Sequence, residues 1–201
     1  RITKAEAKGR RGIPKEKTVI VSFGGSLGAG VLNEAVLSFI ENYAIKSSKV
    51  YHIHATGRNY FDDIRKSHRE LFDAKKNVKI VPYIEDMPTV LKAADIAITR
   101  SGAMTVSELA ACGVPAILIP SPNVTANHQY YNAKYMEKRG AAIILEEKDL
   151  SADSLTKEVV RLIDSSYAIH RMSVSARNIS KKDTEHLIAK AISEVLGGKP
   201  C

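Results

Sequence analysis

Short β-branched runs alternate with helix-period stretches from about residue 17 onward. "KTVIVSF" (17–23), "KVYHIHA" (49–55), "VKIVPY" (78–83), "DIAIT" (95–99), "PAILIP" (115–120) and "AAIIL" (141–145) read as six strands. Apolar positions at helical spacing predict helices from Ala29 to about Ala44, around Tyr60 to Ala74, and over 86–93, 103–112 and 126–139. Continuously apolar strands, each followed by a single helix, argue for a parallel sheet covered on both faces with right-handed crossovers. The predicted fold class is therefore α/β: a doubly wound, Rossmann-like parallel sheet of about six strands. After Leu145 the strands stop, and 151–196 reads as two or three amphipathic helices, the last being "DTEHLIAKAISEVL" ahead of Gly197 and Gly198. Residues 1–16 are polar and read as a linker arm, which leaves 17–201 as the folded domain, terminal helices included.

Composition narrows this little. A chain of 201 residues that is 44% hydrophobic holds one sizeable core and is short for two. The net charge of +8 favours an anionic partner, whether nucleotide, nucleic acid or acidic membrane surface. The basic residues are scattered, as at Arg10 and Arg11, Lys75 and Lys76, or Lys181 and Lys182, without the aromatic-interleaved stripe of a nucleic-acid binder. Nucleic acid is not expected, and a plainly solvated basic surface is the alternative. The two cysteines, Cys112 and Cys201, do not make a disulfide framework, so a reducing, cytoplasmic setting is expected. No run approaches the roughly 18 apolar residues of a membrane span. The chain starts at Arg1 rather than at a methionine and is expected to be part of something longer.

Ligands of open parallel sheets bind at the carboxyl ends of the strands. Five loops rich in special residues fall there: "GGSLGA", "TGRN", "YIEDMP", "RSGAMTVSE" and "PSPNVTANHQ". The first lacks the G-x-G-x-x-G of a dinucleotide site, and no acidic residue closes the second strand, which disfavours NAD. Counting from Gly25 reaches Gly30 and then Val31, not lysine, which disfavours a Walker loop. What remains is a tight turn into a helix N-terminus, suited to a pyrophosphate or serving only a close strand-to-helix connection. Glu108 is either the partner of Thr105 in a capping box or a carboxylate for ribose hydroxyls. Arg100 pairs either with phosphate or with Asp86 or Glu85. Asn127, His128 and Gln129 either cap a helix or meet sugar hydroxyls. No D-x-D pair closes a strand, and no His, Cys and carboxylate cluster has metal-ligand spacing; Asp62 and Asp63 read as solvated surface.

Taken in order, "GGSLGA", "YIEDM", "RSGAMTVSELAACGVPAILIP" and "NHQYYNA" strongly resemble the carboxyl-terminal half of the MurG family over residues 18 to about 146. The resemblance implies the UDP-sugar-binding half of a two-domain GT-B glycosyltransferase. Such an inverting enzyme moves N-acetylglucosamine from UDP-N-acetylglucosamine to lipid I, forming the lipid II of bacterial peptidoglycan synthesis. By motif, Ser26 and the loop of Gly25, Leu27, Gly28 and Ala29 face the donor diphosphate. Ile84 offers backbone groups to uracil. Glu108 holds the ribose, with Ala103, Met104 and Thr105 lining the same pocket and Arg100 beside it, and His128 and Gln129 meet the sugar. No metal and no cofactor are implied. The acceptor site, the catalytic base and the contact with the cytoplasmic face of the membrane belong to an amino-terminal domain outside this chain. The chain alone is therefore expected to be inactive, and none of its residues is assigned as catalytic. A donor-binding subunit docking on a separate membrane-associated partner, or another GT-B UDP-sugar enzyme such as a glycolipid synthase or an epimerase, stands as the alternative.

Overall fold

The computed structural model describes residues 2–73, 77–180 and 192–194. Among these, six strands pair in the order β3-β2-β1-β4-β5-β6: β1 (Thr18–Phe23), β2 (Val50–Ala55), β3 (Val78–Val81), β4 (Ile96–Thr99), β5 (Ala116–Leu118) and β6 (Ala142–Ile144). Every pairing is parallel, with Ile20 level with His52 on one side and Ile96 on the other. The expected doubly wound sheet is present, its strands one or two residues shorter than the apolar runs at most ends.

Alternation along β1 divides the interior in two. Val19, Val21 and Phe23 enter one core, whereas Ile20 enters the other. The first core is covered by α1 (Lys4–Arg10), α5 (Met87–Ala93), α6 (Ala103–Cys112) and α7 (His128–Glu137); the second by α2 (Gly30–Asn42), α3 (Phe61–Ser67), α4 (Arg69–Asp73) and α8 (Ala152–Ile163). The last of these helices, α9 (Ser166–Ile179), contributes Ala176 to the first and Met172 to the second. Fully buried side chains such as Leu32, Phe39, Ile98 and Ile117 each contribute about 1.5–3 kcal/mol by leaving water.

Two expectations change. The helix expected around 60–74 is broken at His68, where the Ser67 hydroxyl donates back to the Asp63 carbonyl at 2.8 Å and competes with the helix ladder. Residues 4–10, read as part of an arm, form α1, packed along α5. Its start is a capping box: Glu6 N–H donates to Thr3 Oγ1 at 3.2 Å, and Thr3 N–H donates to the Glu6 carboxylate at 2.6 Å, holding that carboxyl below its usual range. Asp95, at the foot of β4, fastens the helix down by accepting from Lys4 Nζ at 2.6 Å, from the Val19 N–H at 2.8 Å, and by pairing with the buried Lys8 at 3.2 Å. The helix expected over 183–196 lies outside the described residues except for 192–194, which are helical. No helix among the described residues is long and apolar enough to cross a membrane.

Beneath the carboxyl ends of β1 and β2 lies a buried polar cluster. Ser22 Oγ sits 2.7 Å from His52 Nε2 and 2.8 Å from His54 Nδ1. Burial disfavours the imidazolium, pushing His54 down to about 4 and His52 well below its ordinary value, the latter helped by its neighbour. Above pH 6.5 both rings are neutral whether the chain is folded or not. Below it the unfolded chain takes up protons that the buried rings refuse, His54 until about pH 4, so stability falls as pH falls through that window. For His54 alone the loss is on the order of 3 kcal/mol. Urea unfolding at pH 7.5 and at pH 4.5 is expected to show this loss in the wild type and a clearly smaller one in His54→Gln; equal losses would contradict the assignment.

Candidate functional site

The chain leaves β1 toward β2 and β3 on one side and returns through β4 toward β5 and β6 on the other. Its switch point therefore lies between β1 and β4, and the crevice at their carboxyl ends is flanked by the turns leading into α2 and α6. These two helices start without a side-chain cap. Ala29 precedes α2 and Gly102 precedes α6; α3 and α7 also start without a side-chain cap, whereas α1, α5, α8 and α9 are capped by Thr3, Asp86, Ser151 and Ser165. The first intrahelical donors are Asn33, to Ala29, and Val106, to Gly102. The N–H groups of residues 30–32 and 103–105 thus have no partner among the described residues, and each helix presents the positive end of its dipole.

The turn after β1 is held by its neighbour. The Gly28 N–H donates to the Gly25 carbonyl at 3.2 Å, and the Arg58 N–H donates to the Ser26 carbonyl at 3.2 Å. Gly28 (φ 92°) and Gly57 (φ 84°) meet backbone to backbone: a Cβ on Gly28 would stand 2.2 Å from the Thr56 carbonyl oxygen, and one on Gly57 would stand 2.2 Å from the Gly28 nitrogen. Ser26 is exposed, as is Leu27 at 63%.

Across the crevice, Ile84 is buried, and its N–H and carbonyl have no partner among the described residues. Asp86 caps α5 through the Thr89 N–H, which lowers its pKa, and it also pairs with Arg11 at 3.3 Å. Thr105 and Glu108 do not form a capping box: with Gly102 as N-cap they stand at the third and sixth helical positions. Glu108 is exposed and makes no hydrogen bond or ion pair among the described residues. One turn below it, the half-buried Cys112 feels both Glu108 and Lys92 of α5, although burial dominates the upward shift of its thiol. Met104, Glu108 and Cys112 share one face of α6, a helix that packs against α5. Met104 is 79% exposed at its head.

Arg100 is a correction. Its guanidinium lies 2.5 Å from Glu147 and donates to the Ile119 carbonyl at 3.1 Å, so its ion-pair partner is neither Asp86 nor Glu85. At the start of α7, His128 donates from Nδ1 to the Thr125 carbonyl at 2.9 Å, leaving Nε2 as the other ring nitrogen of an exposed side chain. Ala126 and Asn127 just before it have φ of 52° and 51°, the positive-φ positions among described non-glycine residues, so the turn is strained as functional turns often are. Gln129 is partly structural: its Oε1 accepts from the Ser121 N–H at 3.0 Å and its carbonyl from Ser101 Oγ at 2.8 Å, while Asn132 donates to the Ser101 carbonyl at 2.9 Å. His54, at the end of β2, is fully buried. The structure also gives partners to Thr56, Gly57, Ser101 and Asn132, which lie in the quoted loops and motifs without an assigned role, and brings in one residue outside them, Asn33. An asparagine among the apolar positions of α2 was the available signal for it.

The glycosyltransferase family 28 C-terminal domain matches residues 19–190. The chain belongs to that family. Family 28 relatives include the UDP-N-acetylglucosamine–N-acetylmuramyl-(pentapeptide) pyrophosphoryl-undecaprenol N-acetylglucosamine transferases of Acetivibrio thermocellus, 38% identical over 98% of this chain, and of Thermoanaerobacter sp. strain X514, 39% identical over 97%. In each case the match covers 53% of the relative, so the chain spans about half the length of these curated relatives. Among solved structures, Acinetobacter baumannii MurG superposes with a TM-score of 0.76 at 28% identity, over 89% of this chain and 52% of that one.

The contact between the two turns makes a sharp prediction. Gly28→Ala combines a positive φ with a clash against a backbone oxygen and is expected to cost at least about 2–3 kcal/mol. Gly25→Ala has a positive φ but open space around its Cβ and is expected to cost about 1 kcal/mol. Urea unfolding of both variants measures the difference, and equal costs would contradict the contact.

Proposed function

We propose that this chain is the donor-binding half of an inverting N-acetylglucosaminyltransferase acting on UDP-N-acetylglucosamine. The observation that carries the reading is the pair of uncapped helix N-termini flanking the switch point, in a chain whose relatives carry that transferase name over nearly its whole length. In this reading the free amides of residues 30–32 and 103–105 receive the diphosphate, with Ser26 and the turn of Gly25, Leu27, Gly28 and Ala29 around it. Ile84 reads the uracil edge through its backbone, Glu108 accepts from both ribose hydroxyls beside Ala103, Met104 and Thr105, and His128 with the free amide nitrogen of Gln129 faces the sugar.

The reaction is a single displacement at the anomeric carbon. The muramoyl 4-hydroxyl of lipid I attacks, the bond to the diphosphate breaks, and the sugar passes from α to β linkage as UDP leaves. Charge grows on the leaving diphosphate in the transition state, and preorganised N–H donors at two helix ends stabilise it there without moving. The acceptor hydroxyl must be held about 3–3.5 Å from the anomeric carbon with a base within reach. In this reading those parts, and the contact with the cytoplasmic membrane face, come from the half of the relatives that this chain does not match.

This chain is expected to bind UDP and UDP-N-acetylglucosamine in EDTA, and calorimetry showing no binding, or binding only after magnesium or manganese is added, would count against the reading. Glu108→Ala is expected to lose about 1.5–3 kcal/mol of UDP affinity, the range for hydrogen bonds to a charged group. Because Glu108 caps nothing, its melting temperature should stay near the wild type's. A stability loss without an affinity loss would return the residue to a structural role. With a soluble lipid I analogue and UDP-N-acetylglucosamine, the chain alone should release no UDP above background.

A further inference from the structure

Among the buried residues of α2, Asn33 is the polar one, standing between Leu32 and Ala35 at 2% exposure. Its Nδ2 donates to the Thr56 carbonyl at 2.9 Å, while its Oδ1 is buried with no partner. Only the amide nitrogen can meet a carbonyl oxygen, so the orientation of the group follows from chemistry. An apolar residue would remove the unmet Oδ1 but leave the buried Thr56 carbonyl, which accepts from no other donor among the described residues, unmet instead. The amide is therefore kept for what its donor does.

The donor holds an atom that the rim depends on. The Thr56 carbonyl oxygen is the wall against which Gly28 packs, and Gly57, the next residue, is pressed against the Gly28 backbone on the same side. The same asparagine closes the first turn of α2 through its own N–H, to the Ala29 carbonyl at 2.9 Å. One residue thus joins three things: the start of α2, the end of β2 and, between them, the turn that carries the free amides. We propose that Asn33 is a positioning residue that sets the spacing of the diphosphate-binding turn, an inference that rests on the donor-site reading above. It touches none of the groups assigned to the nucleoside, which lie across the crevice on the turn after β3 and on α6.

The test separates the two ends of the nucleotide. UDP is titrated by calorimetry and uridine by NMR chemical shift against the wild type, Asn33→Asp and Asn33→Leu, with folding followed by circular dichroism. Aspartate keeps the shape but turns an oxygen toward the Thr56 carbonyl; leucine removes the donor together with the unmet acceptor. The expected result is a tenfold or greater loss of UDP affinity in at least one folded variant, with uridine affinity within about twofold of the wild type. Three results would overturn the proposal: folded variants that keep the wild-type UDP affinity, equal weakening of UDP and uridine, or loss of fold in both variants, which would make Asn33 a stability residue. A wild type that binds neither ligand would instead sink the donor-site reading, and this inference with it.

Discussion

Parallel pairing of all six strands forces every strand's carboxyl end, and the amino end of each helix that follows it, onto one rim. The remaining features of the site follow from that constraint. Strands running the same way need crossovers, the crossovers are helices, and a helix leaving the sheet points its free N–H groups at the crevice it has just left. The reversal of strand order between β1 and β4 then opens the crevice at one place, between the N-termini of α2 and α6.

Both of those ends are left without a side-chain cap. A cap contributes about 1 kcal/mol, and four helices here have one. α3 and α7 also lack one, and the two helices that flank the crevice have alanine and glycine at the cap position, which leaves their backbone donors for an anion. Three polar side chains near the crevice have structural partners. Arg100 is held by Glu147, Asp86 by Thr89 and Arg11, and Gln129 by the turn after β5. Against that background the bare carboxylate of Glu108 and the unpaired backbone of Ile84 stand out, both within the residues matched to family 28.

The sheet was legible in the sequence because buried parallel strands are continuous β-branched runs, which few other structures require. The site was legible in part. The pattern T-x-x-E occurs twice, and its two cases went opposite ways: Thr3 to Glu6 is a true capping box inside what reads as a polar arm, whereas Thr105 to Glu108 lies a turn inside a helix that Gly102 has already begun. The spacing is local, but the helix start is set by where the preceding strand ends. The partner of Arg100 lies 47 positions away and comes beside it only when the sheet is assembled, so nearer acids drew the assignment. Asn33 was hidden by its neighbours, because a helix face dominated by Leu32, Val36 and Ile40 reads as apolar even when one member is an amide.

The central claim is that the backbone donors at the starts of α2 and α6 hold the ligand's phosphates. Amide hydrogen exchange with and without saturating UDP tests it directly, because it reads those N–H groups one by one. The account predicts slowed exchange at residues 30–32 and 103–105, with the sheet interior and α8 unchanged. Saturation with UDP that leaves those amides exchanging as before, or protects a different edge of the sheet, would contradict it.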